Sequence, residues 1–369
     1  MSAPLRAGML ICACDGAAAP PANDNARRPA GRFALTAGFA FAVLAQTIAA
    51  TVLPLAGTLL APEGALVTWP FAALMLGAAL ASFPASFLRD AFGRRAGFAL
   101  GASLGIAGGA LLALGLLNRQ FAFACIGGLW LGMAQGFSFF YRHEAAATSG
   151  APGAAAAGVL AGGVLAALAG PALVQAAEAL VAPYFLVGAA ALAALAHVAS
   201  LGVAVRLAPD PVSEAAAQPG GSLRPLLWPT AAGALAWFAM SALMAGSPAK
   251  LVACGVGEGA VFGFVALHVL AMYGPAVPLM WIAGRVPGPV LALAGGSLCA
   301  AALALGAATQ TGPGLGAALL LSGAGWCIAT VGTTAWLREA GASGRLALAL
   351  HDGVLFCAAL AGAQAAGLV

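Results

Sequence analysis

Four side chains of soft-ligand type recur at helical spacing in the second half of the chain, as Met240-x-x-x-Met244 and His268-x-x-x-Met272. Residues four apart on a helix share one face, one turn apart, so each pair presents two donors in a column. Three thioethers and an imidazole suit Cu(I) and fit poorly with Mg²⁺, Ca²⁺ or Mn²⁺, which take oxygen. Neutral thioethers bind without losing a proton, and hand-off between several sites keeps an ion moving. Cys254, between the two pairs, is placed to capture such an ion, and Cys12-x-Cys14 near the N-terminus to receive it. The bland reading of the same methionines is adaptable packing. His268 is the least bland of the set, because an imidazole in an apolar run demands a partner.

Other polar residues also carry potential chemistry. The stretch Ser86-Phe-Leu-Arg-Asp90-Ala-Phe-Gly93-Arg94-Arg95 holds a turn glycine, an acid able to cap a helix start, and two arginines. His351-Asp352 opens the last apolar run. Its acid reads either as a group coupling proton movement to transport or as a helix-start acid paired with Arg345. Tyr141, Arg142 and Glu144 close the fourth run as an ion-pair cluster, while His143 and His197 read as structural. Gln46 and Gln135 line a cavity or cross-link helices. No P-loop, zinc or hydrolase pattern is present, so neither an enzyme nor direct ATP drive is expected.

The elements that position these residues follow from composition. Of 369 residues, 62% are hydrophobic and 7% charged, and the mean hydropathy is +0.99. A soluble domain runs nearer 25% charged, and a chain with this much apolar surface does not stay disordered. A bilayer core of about 30 Å takes about 20 helical residues. Eleven apolar runs of about that length fall between residues 33 and 367, too long for barrel strands of about 10 residues. An all-α polytopic membrane protein is expected, with a tail over 1–32, a six-helix bundle over 33–207, a polar linker over 208–225 and a second bundle over 226–369.

Thirteen of the 15 Lys and Arg lie in the tail and the loops on one side; only Arg119 and Lys250 fall on the other. The positive-inside rule then puts the N-terminus and linker in the cytoplasm. The net charge of +4 is thus a matter of topology, with no nucleic-acid partner implied. Seven cysteines scattered among apolar runs imply no disulfide framework.

Asp90, Gly93, Arg94 and Arg95 resemble the signature loop between the second and third helices of the major facilitator superfamily, with Ser86 and Ala91 departing from it. Together with Met240, Met244, His268, Met272 and the intervening Ala-Cys254-Gly, the chain resembles the CcoA-type bacterial copper importers within that superfamily. The resemblance implies two rocking helical halves, with the loop as a latch on the closed state. It further implies copper import across a bacterial inner membrane, supplying haem-copper cytochrome c oxidase assembly. Copper is then substrate rather than cofactor, and the partners are the lipid bilayer and a copper chaperone. The family carries a twelfth helix where eleven runs are found here. Two alternatives stand beside this reading: a carrier or exporter of a small organic solute or drug, and a non-transporting copper-binding assembly factor.

Overall fold

The computed structural model describes residues 29–208, 223–342 and 344–369; Cys12, Cys14, the tail arginines before Pro29 and most of the linker lie outside the described residues. In a bilayer every backbone polar group must be satisfied within the segment, and Ala- and Leu-rich runs do this as helices. The order is α1 (Pro29–Leu60), α2 (Trp69–Leu117), α3 (Phe121–Ala147), α4 (Pro152–Leu160), α5 (Gly162–Leu180) and α6 (Val187–Ala204). After the linker come α7 (Arg224–Ala253), α8 (Glu258–Tyr273), α9 (Ala276–Ile282), α10 (Gly288–Ala308), α11 (Gly312–Glu339) and α12 (Arg345–Gln364). Proline stands in the first turn of α2, α4, α7, α10 and α11, where its missing N–H costs nothing.

Ten helical stretches among the described residues are long and apolar enough to cross a membrane. One of them, Gly64–Leu117, is 54 residues long, about 80 Å if straight and far beyond one crossing. It is not straight. Gly93 sits at φ 84°, ψ 165°, a conformation open to glycine alone, and the chain doubles back there. Before the turn, Leu74 and Ala78 pack in order against Gly132 and Gly136 of α3; after it, Gly101, Gly108 and Gly115 meet Phe137, Leu131 and Ala124 in reverse order. The first limb of α2 therefore runs parallel to α3 and the second antiparallel. Among the described residues the crossings number eleven, as expected from the apolar runs.

Helices α1–α6 pack among themselves, as do α7–α12, and the two bundles meet where α12 lies on α2, α4 on α9 and α11, and α5 on α8. Two crossings are broken in the middle. The α4–α5 crossing is interrupted at Ala161 and the α8–α9 crossing at Gly274-Pro275.

The turn around Gly93 is tied inward, and its acid is not the one expected. Asp90 caps no helix; its carboxylate is 42% exposed and lies 3.7 Å from Arg89. Glu144 takes the organising role, accepting from Arg89 at 3.1 Å and Arg94 at 3.4 Å. Arg94 Nε also reaches the Ala208 carbonyl at 3.1 Å, and Arg95 grips the Leu207 carbonyl through Nε (3.1 Å) and Nη2 (2.9 Å). The turn thus fastens to the end of α6, within its own bundle.

Replacing Gly93 by valine forces a β-branched side chain to a positive φ. The expected cost is about 1–3 kcal/mol, read as a lowered unfolding midpoint of detergent-purified protein. Gly64→Ala, at a position with open space around it, should leave the midpoint unmoved.

Candidate functional site

Where the bundles meet, two layers of side chains are stacked along the central axis. The first is polar and lies towards the arginine-rich end. Arg142 of α3 is buried, and its Nη2 donates to Asp352 Oδ1 of α12 at 2.6 Å. Its Nε donates to Thr334 Oγ1 of α11 at 3.2 Å and its Nη1 to the Phe139 carbonyl at 2.7 Å. His143 Nε2 lies 3.1 Å from the same Asp352 oxygen. His351 Nδ1 is 2.9 Å from Thr230 Oγ1 of α7, and the His143 and His351 rings meet edge-on, 6.4 Å apart. One guanidinium therefore joins the first bundle to two helices of the second.

The second layer is aromatic and rests on the first. Phe39 (α1) and Phe139 (α3) come from one bundle; Trp237 (α7), Tyr273 (α8), Trp326 (α11) and Phe356 (α12) come from the other, all buried. Phe139 is the hub. Its ring lies edge-on to Phe39 at 6.0 Å, Trp237 at 5.2 Å, Trp326 at 6.1 Å and Phe356 at 5.5 Å. Trp237 and Trp326 are 5.3 Å apart. Arg142 bridges the layers, its guanidinium carbon 5.0 Å from the Phe139 ring centre, within cation–π range.

Helical geometry places these rings. Phe139 precedes Arg142 and His143 by three and four positions, Phe356 follows Asp352 by four, and Trp326 precedes Thr330 and Thr334 by four and eight. Each helix thus offers an aromatic group one or two turns along the face that carries its polar group. Edge-on ring contacts satisfy the aromatic quadrupoles. The indole N–H groups are not satisfied. Trp237 Nε1, Trp326 Nε1, Thr330 Oγ1 and Gln135 Oε1 are buried without a hydrogen-bond partner, at about 1–3 kcal/mol each.

The residues singled out from the sequence are distributed differently. Asp352 and His351 belong to the polar layer, but the partner of Asp352 is Arg142; Arg345 instead lies over the Phe87 ring at 5.0 Å. Arg142 and His143 do not lie in a loop: α3 continues to Ala147 and carries both into the centre, where each meets Asp352. Met240 is buried one turn beyond Trp237; Met244 and Met272 are half-buried. His268 is fully buried with Nδ1 2.7 Å from the Leu319 carbonyl of α11. Helix α7 leans on α10, α11 and α12, whereas α8 leans on α11 and α5. Cys254 Sγ donates to the Gln310 carbonyl at 3.2 Å. Gln46 Nε2 donates to Ser138 Oγ. The aromatic layer is absent from the sequence-based expectations, although its signal is present: rings and polar groups at i, i+3 and i+4 inside otherwise apolar runs.

Two helical bundles packed around a buried, mixed polar and aromatic centre form the two-halved architecture in which a solute site lies between the halves. No family model matches the chain. The riboflavin transporter RfnT of Brucella anthropi is 31% identical over 299 residues, spanning 77% of this chain and 74% of that protein. The human organic anion transporter MFSD10 has a similar structure, with TM-score 0.68 at 18% identity over 95% of this chain and 93% of that one. The proton:xylose symporter XylE follows at TM-score 0.66 and 14% identity, over 90% and 88% of the two chains. A bacterial homologue of the iron transporter ferroportin gives TM-score 0.61 at 16% identity, over 91% and 97%. The chain belongs to the same family as RfnT, and its fold is that of the major facilitator superfamily. The similarity to RfnT runs to an organic-solute carrier, and nothing in these comparisons supports the copper-importing branch.

Removing the guanidinium strands a buried carboxylate. Arg142→Met should cost about 3–5 kcal/mol, and a double change with Asp352→Leu should restore most of it, since an apolar pair of similar volume is tolerated. Thermal unfolding of the two variants in detergent measures both.

Proposed function

We infer that this chain is a secondary transporter for a flat heteroaromatic solute of the flavin class, held at the aromatic layer between the bundles. The observation that carries the reading is the inter-bundle set of rings with partnerless indole donors, taken together with 31% identity to a riboflavin transporter. A planar ring system replaces ring–ring contacts by stacking at no loss of quadrupole complementarity. The membrane is the bacterial inner membrane, with the arginine-rich end in the cytoplasm.

Alternating access in this fold is a rocking of one half against the other. Opening the arginine-rich end separates Arg142 from Asp352 and leaves a buried charge unpaired, which is costly. Protonation of Asp352, with His351 beside it, relieves that cost, so proton binding and opening are linked in this reading.

The copper reading keeps one supporting observation, the buried His268 Nε2 without a partner, one turn from Met272. Both substrates are therefore offered in one assay. Everted and right-side-out vesicles containing the protein receive riboflavin or Cu(I). Riboflavin movement that falls at least about tenfold in Trp326→Ala and survives in His268→Ala is the expected result. Copper movement lost in His268→Ala, with no flavin movement in wild type, would overturn it.

A further inference from the structure

We propose that the site reads one edge of its substrate by a donor–acceptor–donor pattern, and so selects a cyclic imide, in which two carbonyls flank one N–H. This deepens the flavin-class reading and rests on it. Among the described residues, the buried polar atoms beside the ring cluster without a hydrogen-bond partner include Trp237 Nε1, Trp326 Nε1 and Gln135 Oε1, with the Thr330 hydroxyl, able to donate or accept, four positions after Trp326. The two indole groups are donors that cannot accept, and Gln135 Oε1 is an acceptor that cannot donate. The donors sit on rings 5.3 Å apart. The acceptor is on α3, one turn from Phe139, whose ring touches both indoles edge-on.

That rim is braced. Gln46 Nε2 donates to Ser138 Oγ, and Ser138 Oγ donates to the Gln135 carbonyl at 2.9 Å. Together these contacts end on the backbone of α3, and the Gln135 side-chain oxygen has no partner of its own. Buried polar atoms of a native protein are almost always paired; of the twelve unpaired among the described residues, these lie on the helices that carry the ring cluster, where a ligand between the bundles would supply partners. The complement of two donors and one acceptor is a ligand edge with two acceptors around one donor. The pyrimidine edge of an isoalloxazine has this pattern, and its fused rings supply the flat surface that the phenyl and indole groups stack upon. Recognition through this edge makes the ribityl chain secondary. A site built to pair an N–H discriminates strongly against an analogue that lacks it, because its own polar atoms are then left unpaired.

The test compares riboflavin, lumiflavin (imide kept, ribityl chain replaced by methyl) and N3-methylriboflavin (imide N–H removed). Binding to the detergent-purified full chain is followed by quenching of flavin emission, and transport by vesicle uptake. Lumiflavin is expected to bind about as tightly as riboflavin, and N3-methylriboflavin about tenfold or more weakly. Trp326→Phe and Trp237→Phe, which keep a ring and remove a donor, should each weaken riboflavin about three- to tenfold. In Gln135→Leu the preference for riboflavin over its N3-methyl analogue should collapse, a readout that a merely structural role for Gln135 would not move. Elution of each variant as a monodisperse peak in size-exclusion chromatography establishes that it is folded. Uptake of riboflavin with equal binding of the N3-methyl analogue, and no change in the Trp→Phe variants, overturns the imide proposal while the transport reading stands. Imide-selective binding without uptake does the reverse. Absence of both binding and uptake overturns the two together.

Discussion

A guanidinium and a carboxylate, both out of water and 2.6 Å apart, hold the two bundles to each other. Such a pair gains little net stability, since desolvation consumes most of the Coulombic attraction. What it gains is registration. Arg142 spends its donors in three directions, on Asp352, Thr334 and the backbone of its own helix. That pattern fixes where α3 meets α11 and α12, and the level at which Phe139 meets the rings of the opposite bundle. His143 and His351 then complete a polar floor that joins three helices of the second half to one of the first.

The aromatic layer depends on that floor. Ring contacts are weak one by one and tolerate sliding, so they do not set a register unaided. The cation over the Phe139 face and the acid four residues before Phe356 pin two of the six rings, and the remaining four pack around them. The consequence is a centre that is tightly closed yet polar at its seam. Partnerless indole N–H groups penalise the empty closed arrangement, which favours either opening or occupancy.

Much of this is legible in the residues. Charge scarcity and run length identify a helical membrane protein, and the apolar runs match the crossings down to the reversal at Gly93, where a glycine and two arginines interrupt a hydrophobic stretch. Asp352 stands out as an acid inside an apolar run. Its partner does not, because Arg142 lies 210 positions earlier and the end of α3 is disguised in sequence by a cluster of charged residues that reads as a loop. The thioether and imidazole spacing draws attention for the opposite reason. An i, i+4 pair on each of two helices says which face the side chains share, and nothing about what that face meets. Here His268 turns to the carbonyl of Leu319 on α11, a contact no local pattern encodes.

The same limit governs the substrate. Carriers of an organic anion, a sugar and iron share this architecture at 14–18% identity, so the arrangement of helices constrains how a cargo moves and leaves its identity to a few inward-facing groups. In the reading proposed above those groups are rings with polar edges, over a floor carrying one buried ion pair. A bare cation would find the face of that floor already occupied by Arg142 and would have to displace it. A neutral planar solute meets no such repulsion. On the proposed reading it would enter between the rings and leave the ion pair to respond to the proton rather than to the cargo. Separating the layer that recognises from the layer that gates lets a superfamily change what it carries by exchanging rings, without rebuilding the interaction that holds its halves in register.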